Sequence, residues 1–225
     1  MAISFIAATS VDAATGNVSI THGLSITSGD VIVATINPNG AGNTVTDNNG
    51  STAFTSDHNT ANPDSGSYYV FSRVCGGSEP ASYNWTLGSS NRWSVVLRQY
   101  RGVDATIWDV APGASTVATG LVSATAVASS ITIATSGACG LVLMGDDAFP
   151  TTTTFTSIDN SYANTRSETG QEYQTTSDKL GLSTGSTGAT TVTSSANVSY
   201  VIYQVALKPA ASVTSKLLAL LGVGG

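Results

Sequence analysis

The order of hydrophobic and polar residues follows a β pattern along nearly the whole chain. Short runs rich in Val, Ile, Thr and Tyr alternate with clusters of Gly, Asn, Asp and Pro, as in strands joined by turns. Before residue 210 no window shows a sustained helical period. The pattern predicts an all-β protein with a jelly-roll-like antiparallel β-sandwich, which forms a single domain over residues 1–209. The predicted strands are residues 3–8, 18–20, 30–36, 44–46, 67–74, 82–87, 92–101, 130–134, 140–144, 153–158, 169–175 and 198–207.

An internal repeat is visible in two pairs of segments. SSNRWSVVLRQY at 89–100 aligns without gaps on SSANVSYVIYQV at 194–205, with five of twelve positions identical. GDVIVATI at 29–36 likewise matches GLVLMGDD at 140–147. Two equivalent sets of strands predict two four-stranded Greek keys, the build of a jelly roll. The alternative is chance similarity between strands of like composition.

The strands at 92–101 and 198–207 carry apolar residues on both faces. In the first of them, Trp93 and Val96 point to opposite faces. A strand with one face in water should alternate between apolar and polar residues, so we expect the outer face to be covered. A neighbouring subunit is the simplest cover and predicts a homo-oligomer. The candidate interface residues on this strand are Arg98, Tyr100 and Arg101.

Residues 210–225 have a different character. Ser212 or Thr214 can cap a short helix, and Gly222 can end it. So short a helix is unstable alone and needs a surface, either one end of its own sandwich or a neighbouring subunit. A frayed tail is the third reading. The candidate interface residues of this helix are Leu217, Leu218, Leu220 and Leu221.

Composition and charge exclude several partners. Charged residues make up 10% of the 225, and the net charge is -6. Nucleic acids and anionic membranes require basic patches, whereas the cations here form no cluster larger than Arg98 and Arg101. No run approaches the ~20 apolar residues of a membrane span. The first sixteen residues lack the basic and apolar regions of a signal peptide. We therefore expect neither a nucleic-acid nor a membrane partner, and no signal peptide.

Catalytic and cofactor chemistry has little support. The sequence lacks a G-x-S-x-G motif, and His22 and His58 lie in polar loop contexts. Cys75 and Cys139 are not at zinc-ligand spacing, and their positions suit small buried residues at strand ends better than a bridge. The TDNNG run at 46–50 favours a turn over a calcium site. We expect no cofactor and no metal.

The acidic residues also fail to make a hydrolase site. Glu168 and Glu172 share a face of one predicted strand, but their Cβ atoms would be about 13 Å apart. That is too far for a paired acid and nucleophile unless other strands contribute. Asp146 and Asp147 are ordinary residues at the start of a loop. The sequence therefore favours a protein that is not an enzyme.

Two tryptophans have contrasting settings. Trp85 shares a face with Tyr83 and Leu87, which predicts a core position. Trp108 lies in a loop-like run that ends at Pro112. It is the best candidate for an exposed aromatic that could stack on a sugar ring.

The order of motifs resembles a loose family of single-domain jelly-roll proteins found among phage virion proteins and bacterial surface proteins. The motifs are SGDVIVATI, YYVFSRVCGGSEPASYNWTLGSSNRWSVVLRQYRGVD, ACGLVLMG and a closing strand that ends in VALKP. The resemblance covers roughly residues 25–208, and its motifs are structural, so it implies no active site. It implies capsid decoration, tail or spike components, or adhesion, with trimers common. The Leu-rich tail departs from the usual pattern.

These observations predict a non-enzymatic structural protein of a phage particle. Its role would be a capsid-decorating (cement) or tail-associated subunit that packs against itself and against other virion proteins. Assembly in the host cytoplasm and release by lysis would place it in the virion without an export signal. The alternative is a carbohydrate-binding adhesin or receptor-binding module that uses Trp108.

Overall fold

The computed structural model describes residues 1–40, 42–61, 67–115, 117–147 and 154–212. This part of the chain is built from antiparallel strands and contains no α-helix; a single 3-10 turn occurs at Gly50–Thr52. The antiparallel sheets pack against each other, which confirms the predicted all-β sandwich. The helix predicted in the tail, with its four leucines, lies outside the described residues.

The described residues form seventeen strands, which fall into two halves of eight with one strand between them. The first half contains β1 Ser4–Ala13, β2 Val18–Thr21, β3 Val31–Pro38, β4 Val45–Asp47, β5 Thr55–Ala61, β6 Ser67–Val74, β7 Ser82–Leu87 and β8 Trp93–Arg101. The joining strand is β9 Val103–Val110. The second half contains β10 Val117–Ala128, β11 Thr132–Ile133, β12 Ala138–Asp147, β13 Phe155–Ile158, β14 Ala163–Glu168, β15 Tyr173–Leu182, β16 Gly185–Ser186 and β17 Thr190–Pro209.

Each half pairs its strands in the same nested order. In the first half β1 pairs with β8, β2 with β7 and β3 with β6. In the second half β10 pairs with β17, β11 with β16 and β12 with β15. Large sheet 1 has the order β1-β8-β3-β6-β5, and large sheet 2 has the order β10-β17-β12-β15-β14. The predicted repeat is therefore present in the strand order, but each half supplies a large and a small sheet instead of one set of four strands.

The strand registers define which residues of the two halves are equivalent. Gln99 pairs with Ile32, and Gln204 pairs with Val142. When the predicted match of Gln99 with Gln204 is kept, Ile32 is equivalent to Val142. The ungapped alignment of 29–36 on 140–147 places Ile32 over Leu143 instead, so this part of the predicted alignment is wrong by one residue. The difference matters because a shift of one residue turns every side chain of a strand to the opposite face.

The inner faces of the two large sheets pack on each other and form the central core. Large sheet 1 contributes Val31, Val33, Tyr68, Val70 and Tyr100, among others. Large sheet 2 contributes Cys139, Leu141, Leu143, Val201, Tyr203, Val205 and Leu207. Burial of apolar surface of this kind is the main favourable contribution to folding.

The outer face of each large sheet is covered by other parts of the same chain. The small sheet β2-β7-β4 packs on the outer face of large sheet 1, where Trp85 contacts the ring of Phe71 with centroids 6.0 Å apart. On large sheet 2, Val142 and Ile202 share one buried cluster with Val192, at the N-terminal end of the long strand β17, and the partly buried Phe155 and Ile158 of β13 pack against this cluster. Trp85 is a core residue, as predicted. The cover that we assigned to a neighbouring subunit is supplied by the chain itself, so the two-faced strands give no support for an oligomer.

Gly145 permits close approach of the two large sheets. A Cβ atom at this position would lie 2.5 Å from Cδ2 of Tyr68, whose ring is buried in the central core. We expect Gly145→Ala to lower the free energy of unfolding by about 1–3 kcal/mol, because the ring must shift within a packed core. The measurement is urea unfolding followed by fluorescence. Gly77→Ala is the control, since a Cβ atom there has no neighbour within 4 Å, and its change should stay within about 0.5 kcal/mol. Equal stability of the two variants would contradict this account.

Candidate functional site

Strands β8 and β15 face each other across the sandwich, and polar side chains pair along them. Alternate residues of a strand share a face, so the even-numbered side chains of both segments enter the gap between the large sheets. Each polar residue on or directly before β15 lies 80 positions after its hydrogen-bond partner on or directly before β8. We call this set the polar ladder, and its three pairs are Arg92 with Glu172, Ser94 with Gln174, and Arg98 with Asp178.

Arg98 and Asp178 form the innermost ion pair of the polar ladder. Arg98 Nη2 donates to Asp178 Oδ2 at 2.8 Å, and each side chain is only 1% exposed. Arg98 Nε donates to the Tyr100 hydroxyl at 2.6 Å, which in turn donates to Asp178 Oδ2 at 3.1 Å. Arg98 Nη1 donates to the carbonyls of Asn164 and Thr176. Every nitrogen of the guanidinium group therefore has an acceptor, which is what a buried charge requires.

The surroundings keep Arg98 charged and Tyr100 neutral. Burial alone would lower the pKa of the Arg98 guanidinium, but Tyr100 and Asp178 outweigh burial and raise that pKa. Burial raises the pKa of the Tyr100 hydroxyl well above its ordinary value, although the charge of Arg98 acts against this. The phenol is therefore a hydrogen-bond donor at every physiological pH.

Strand β14 bends to reach this ion pair. Asn164 has φ +50°, in the left-handed region, and lies where the β14–β15 register shifts between Ala163 and Arg166. Its carbonyl accepts from Arg98, and its side-chain Nδ2 donates to Asp178 Oδ1 at 2.8 Å. Asn adopts this conformation more readily than most residues. The irregularity in the edge strand thus aims two polar groups at the buried charges.

The other pairs of the polar ladder extend it along the sandwich. Gln174 donates to Ser94 Oγ at 2.8 Å and accepts from Thr35 Oγ1 at 2.7 Å. Arg92 Nε donates to Glu172 Oε1 at 3.1 Å. The Glu172 side chain is 1% exposed, whereas the Arg92 side chain is 25% exposed. The ladder therefore runs from the rim of the sandwich to its interior.

Two of the residues predicted at a subunit interface, Arg98 and Tyr100, lie inside the sandwich. Arg98 and Tyr100 are buried within one chain, and their polar atoms bind groups of the second half. Their prediction as contacts to another subunit is therefore corrected: the boundary they occupy lies between the halves of one chain. The acidic partner Asp178 was not identified from the sequence. The only available signal was that Glu172, Gln174, Thr176 and Asp178 alternate as four polar residues on one face of a strand.

Arg101 occupies a different network, within the first half. Its Nε and Nη2 donate to the two carboxylate oxygens of Asp30 at 2.7 and 2.9 Å. Gln99 Nε2 and the backbone N–H of Thr27 also donate to Asp30. Burial would raise the pKa of Asp30, but these donors, Arg101 foremost, lower it below the ordinary value. The Arg101 side chain is still 47% exposed, so its role at a subunit interface stays a prediction.

Trp108 lies on strand β9, whereas the sequence predicted a loop. Its indole Nε1 donates to Asp57 Oδ1 at 2.9 Å, and its half-buried ring packs against the central core. Burial raises the pKa of Asp57. The indole N–H already has a partner and part of the ring is covered, so Trp108 offers less to a sugar than a free aromatic side chain would.

The described residues contain no cluster of metal-ligating side chains. No group of three or more His, Cys, Asp or Glu side chains there could hold a metal ion. An open groove of about 390 Å³ contains His22, but its Nε2 contacts the Pro80 carbonyl at 2.7 Å and its Nδ1 accepts from the N–H of Leu24. Both ring nitrogens are occupied, so this imidazole is not poised as a base. Cys75 and Cys139 are free and buried, and burial raises both thiol pKa values, that of Cys75 to about 12.

Comparison with known proteins yields no match among family models, curated proteins or solved structures. Within the described residues no helix is long and apolar enough to cross a membrane. The resemblance to jelly-roll virion and surface proteins therefore stays a prediction from the sequence.

The innermost ion pair can be tested with a double-mutant cycle. Arg98→Met and Asp178→Leu should each lower the free energy of unfolding by about 3–5 kcal/mol, because each leaves a buried charge without its partner. The double variant should lose less than the sum of the two. The measurement is urea unfolding of all four proteins at pH 7. Additive losses would show that the two charges do not interact.

Asp30 should contribute stability in a pH-dependent way. Its pKa is lowered in the folded protein, so its contribution is complete above the unfolded-state pKa and disappears as the pH falls through the folded-state value. At pH 7 Asp30→Asn should lower the free energy of unfolding by about 1–3 kcal/mol, the range for hydrogen bonds to a charged group. Unfolding measured from pH 7 down to pH 2 should show the two proteins converging in acid. A difference that is constant over this range would contradict the account.

Proposed function

We propose that this protein is a non-enzymatic structural component of a phage particle, a capsid-decorating or tail-associated subunit, built from two jelly rolls. The single observation that carries the proposal is the nested strand pairing of each half. A jelly roll is a long hairpin rolled into two sheets, so its first strand pairs with its last, the second with the seventh and the third with the sixth. Both halves follow this order. Viral capsid proteins are prominent users of that fold, as are lectins.

The use of charge supports a protein-contact role over nucleic-acid binding. In the part of the chain that the structure describes, each arginine and Lys208 pairs with a carboxylate, and Lys179 donates to the carbonyl of Asn160. Cations already paired in this way do not form a free basic surface for phosphates. Neutral Ser, Thr and Asn side chains carry much of the exposed surface.

The proposed contact with neighbouring subunits is the Leu-rich tail. The strand faces are covered within the chain, so they no longer call for a neighbour. The described chain ends at Ser212 beside the N-terminus, where the Met1 ammonium donates to the Ala210 carbonyl at 2.5 Å and to Ser212 Oγ at 3.2 Å. The tail follows directly from this end of the molecule. It carries Leu217, Leu218, Leu220 and Leu221, which make it the apolar segment best suited to pack on a second copy or on another virion protein.

The carbohydrate-binding alternative has weaker support. Jelly rolls also serve as lectins, but the aromatic residue it depends on, Trp108, is half-buried and bonded to Asp57. Glycan binding by the isolated protein that is lost on Trp108→Ala would favour this alternative over a structural role.

The assembly proposal is tested by mass in solution. We expect the full-length protein to form a closed oligomer, with a trimer favoured, and a chain that stops after Ser212 to be a monomer. Stopping there, and not at Pro209, keeps the contacts of Met1 with Ala210 and Ser212. Light scattering after size-exclusion chromatography measures both masses.

A full-length variant separates the apolar character of the tail from its length. In this variant Leu217, Leu218, Leu220 and Leu221 are all changed to Ser. It should behave like the shortened chain if leucine packing holds the oligomer together. A monomeric full-length protein would contradict the proposal that the tail joins subunits.

A further inference from the structure

The described strands of the two halves share no sheet. Each sheet takes its strands from one half, when β9 is counted with the second half because it pairs with β17. Each half therefore forms its strand-to-strand hydrogen bonds internally. The halves are held together mainly by side chains that meet across the central core.

The bonds between the halves are specific and extend beyond the polar ladder. Asn37 Nδ2 donates to the carbonyls of Asp146 and Tyr173 at 2.8 and 2.9 Å. At the edge of the sandwich, Arg166 Nε donates to Ser10 Oγ at 2.5 Å. Each of these bonds takes one group from each half. The second half of another copy of this chain offers the same partners to a first half as its own second half does.

A single residue, Gly102, connects the halves. Strand β8 ends at Arg101 and β9 begins at Val103. Gly102 has φ +80°, in the left-handed region, and a Cβ atom there would lie 2.4 Å from the carbonyl oxygen of Ala2. The chain thus passes between the halves through a crowded turn in a conformation that glycine adopts at least cost. Short and constrained connections of this kind favour the exchange of elements between copies.

We propose that two copies of this chain exchange their second halves about Gly102, so that Arg98 of one copy pairs with Asp178 of the other. The interaction surface is the inner face of each large sheet, and the partner that it fits is the unlike half of a second copy. An exchanged dimer reproduces the contacts between the halves and changes only the hinge, which makes exchange a low-cost route to a dimer. This association does not depend on the Leu-rich tail.

The innermost ion pair makes the exchange selective. Arg98 and Asp178 are each 1% exposed, so a half that meets an unlike half without the complementary ion buries a charge that has no partner. Such a charge is strongly disfavoured. Two chains that have each lost a different member of the pair regain it by exchanging halves, and this provides a direct test.

The test mixes two full-length single variants, Arg98→Met and Asp178→Leu. In an exchanged heterodimer one interface reunites Arg98 with Asp178, and the other joins the two apolar substitutes. The chains, one of them ¹⁵N-labelled, are unfolded together in urea and refolded at high protein concentration. The urea midpoint of the mixture should rise above that of either variant refolded alone. Native mass spectrometry should show assemblies with equal numbers of the two chains, enriched by about tenfold or more over assemblies of one chain.

A second mixture is the matched control. Arg73→Met and Glu79→Leu break an ion pair of 2.8 Å whose side chains are 9% and 5% exposed, but both residues belong to the first half. Exchange of second halves cannot reunite them, so this mixture should keep the midpoints of its separate variants. Association through the tail would act equally in both mixtures. A gain confined to the ladder mixture therefore measures the exchange of halves alone.

Two results would overturn the proposal. One is a ladder mixture that keeps the midpoints of its separate variants, and the other is an equal gain in the control mixture. If neither ladder variant folds alone, a folded species with equal numbers of both chains after joint refolding supports the proposal, and its absence overturns it.

Gly102→Ala tests the position of the hinge. Alanine strains the closed turn, so adding this change to both ladder variants should speed the recovery of stability after mixing by about tenfold. Gly16→Ala is the control, because Gly16 has φ +92° in the turn between β1 and β2 and a Cβ atom there has no neighbour within 4 Å. It should leave the rate of recovery unchanged. Equal rates for the two glycine variants would overturn Gly102 as the hinge.

Discussion

The burial of the Arg98 guanidinium against Asp178 is the constraint on which the rest of the structure depends. A charge with 1% exposure needs an acceptor for each of its nitrogens, and the acceptors come from three strands of the two halves. Strand β14 takes an irregular register so that Asn164 can reach this pair. The halves are consequently held in one relative position, because a slide of either large sheet would separate the charges. Apolar packing alone tolerates such slides more readily than paired ions do.

This constraint acts on only one side of the central core. Elsewhere in the core Tyr68 and Tyr203 stack with their ring centroids 5.8 Å apart and bury apolar area. The apolar contacts and the buried ion pair contribute to the fold in different ways. Apolar burial supplies most of the favourable free energy, whereas a buried ion pair often adds little net stability and instead penalises any arrangement that separates its charges.

The sequence allowed prediction of the fold class and of the repeat, because both depend on local patterns. Turn residues and alternation reveal strands, and Gln99 with Gln204 marks the equivalent ones. Strand β10 was not predicted because Ala, Gly and Ser interrupt its Val and Thr residues and weaken the β pattern. The polar ladder could not be predicted, since Asp178 meets Arg98 only after the two halves pack, and nothing near either residue in the sequence indicates its partner. Arg98 could be singled out on its strand, but not the fact that its acidic partner belongs to the same chain.

The outer face of β8 shows why a correct reading of burial gave a wrong prediction of what buries it. Apolar residues on both faces of β8 do require burial on both sides, and both faces of this strand are buried. A pattern along one strand, however, does not specify whether the second layer comes from the same chain or from another. Here the small sheet with Trp85 supplies it. Because each half covers its own outer face, the apolar residues on both faces of these strands no longer require a neighbouring subunit, and the proposed subunit contact depends on the Leu-rich tail instead.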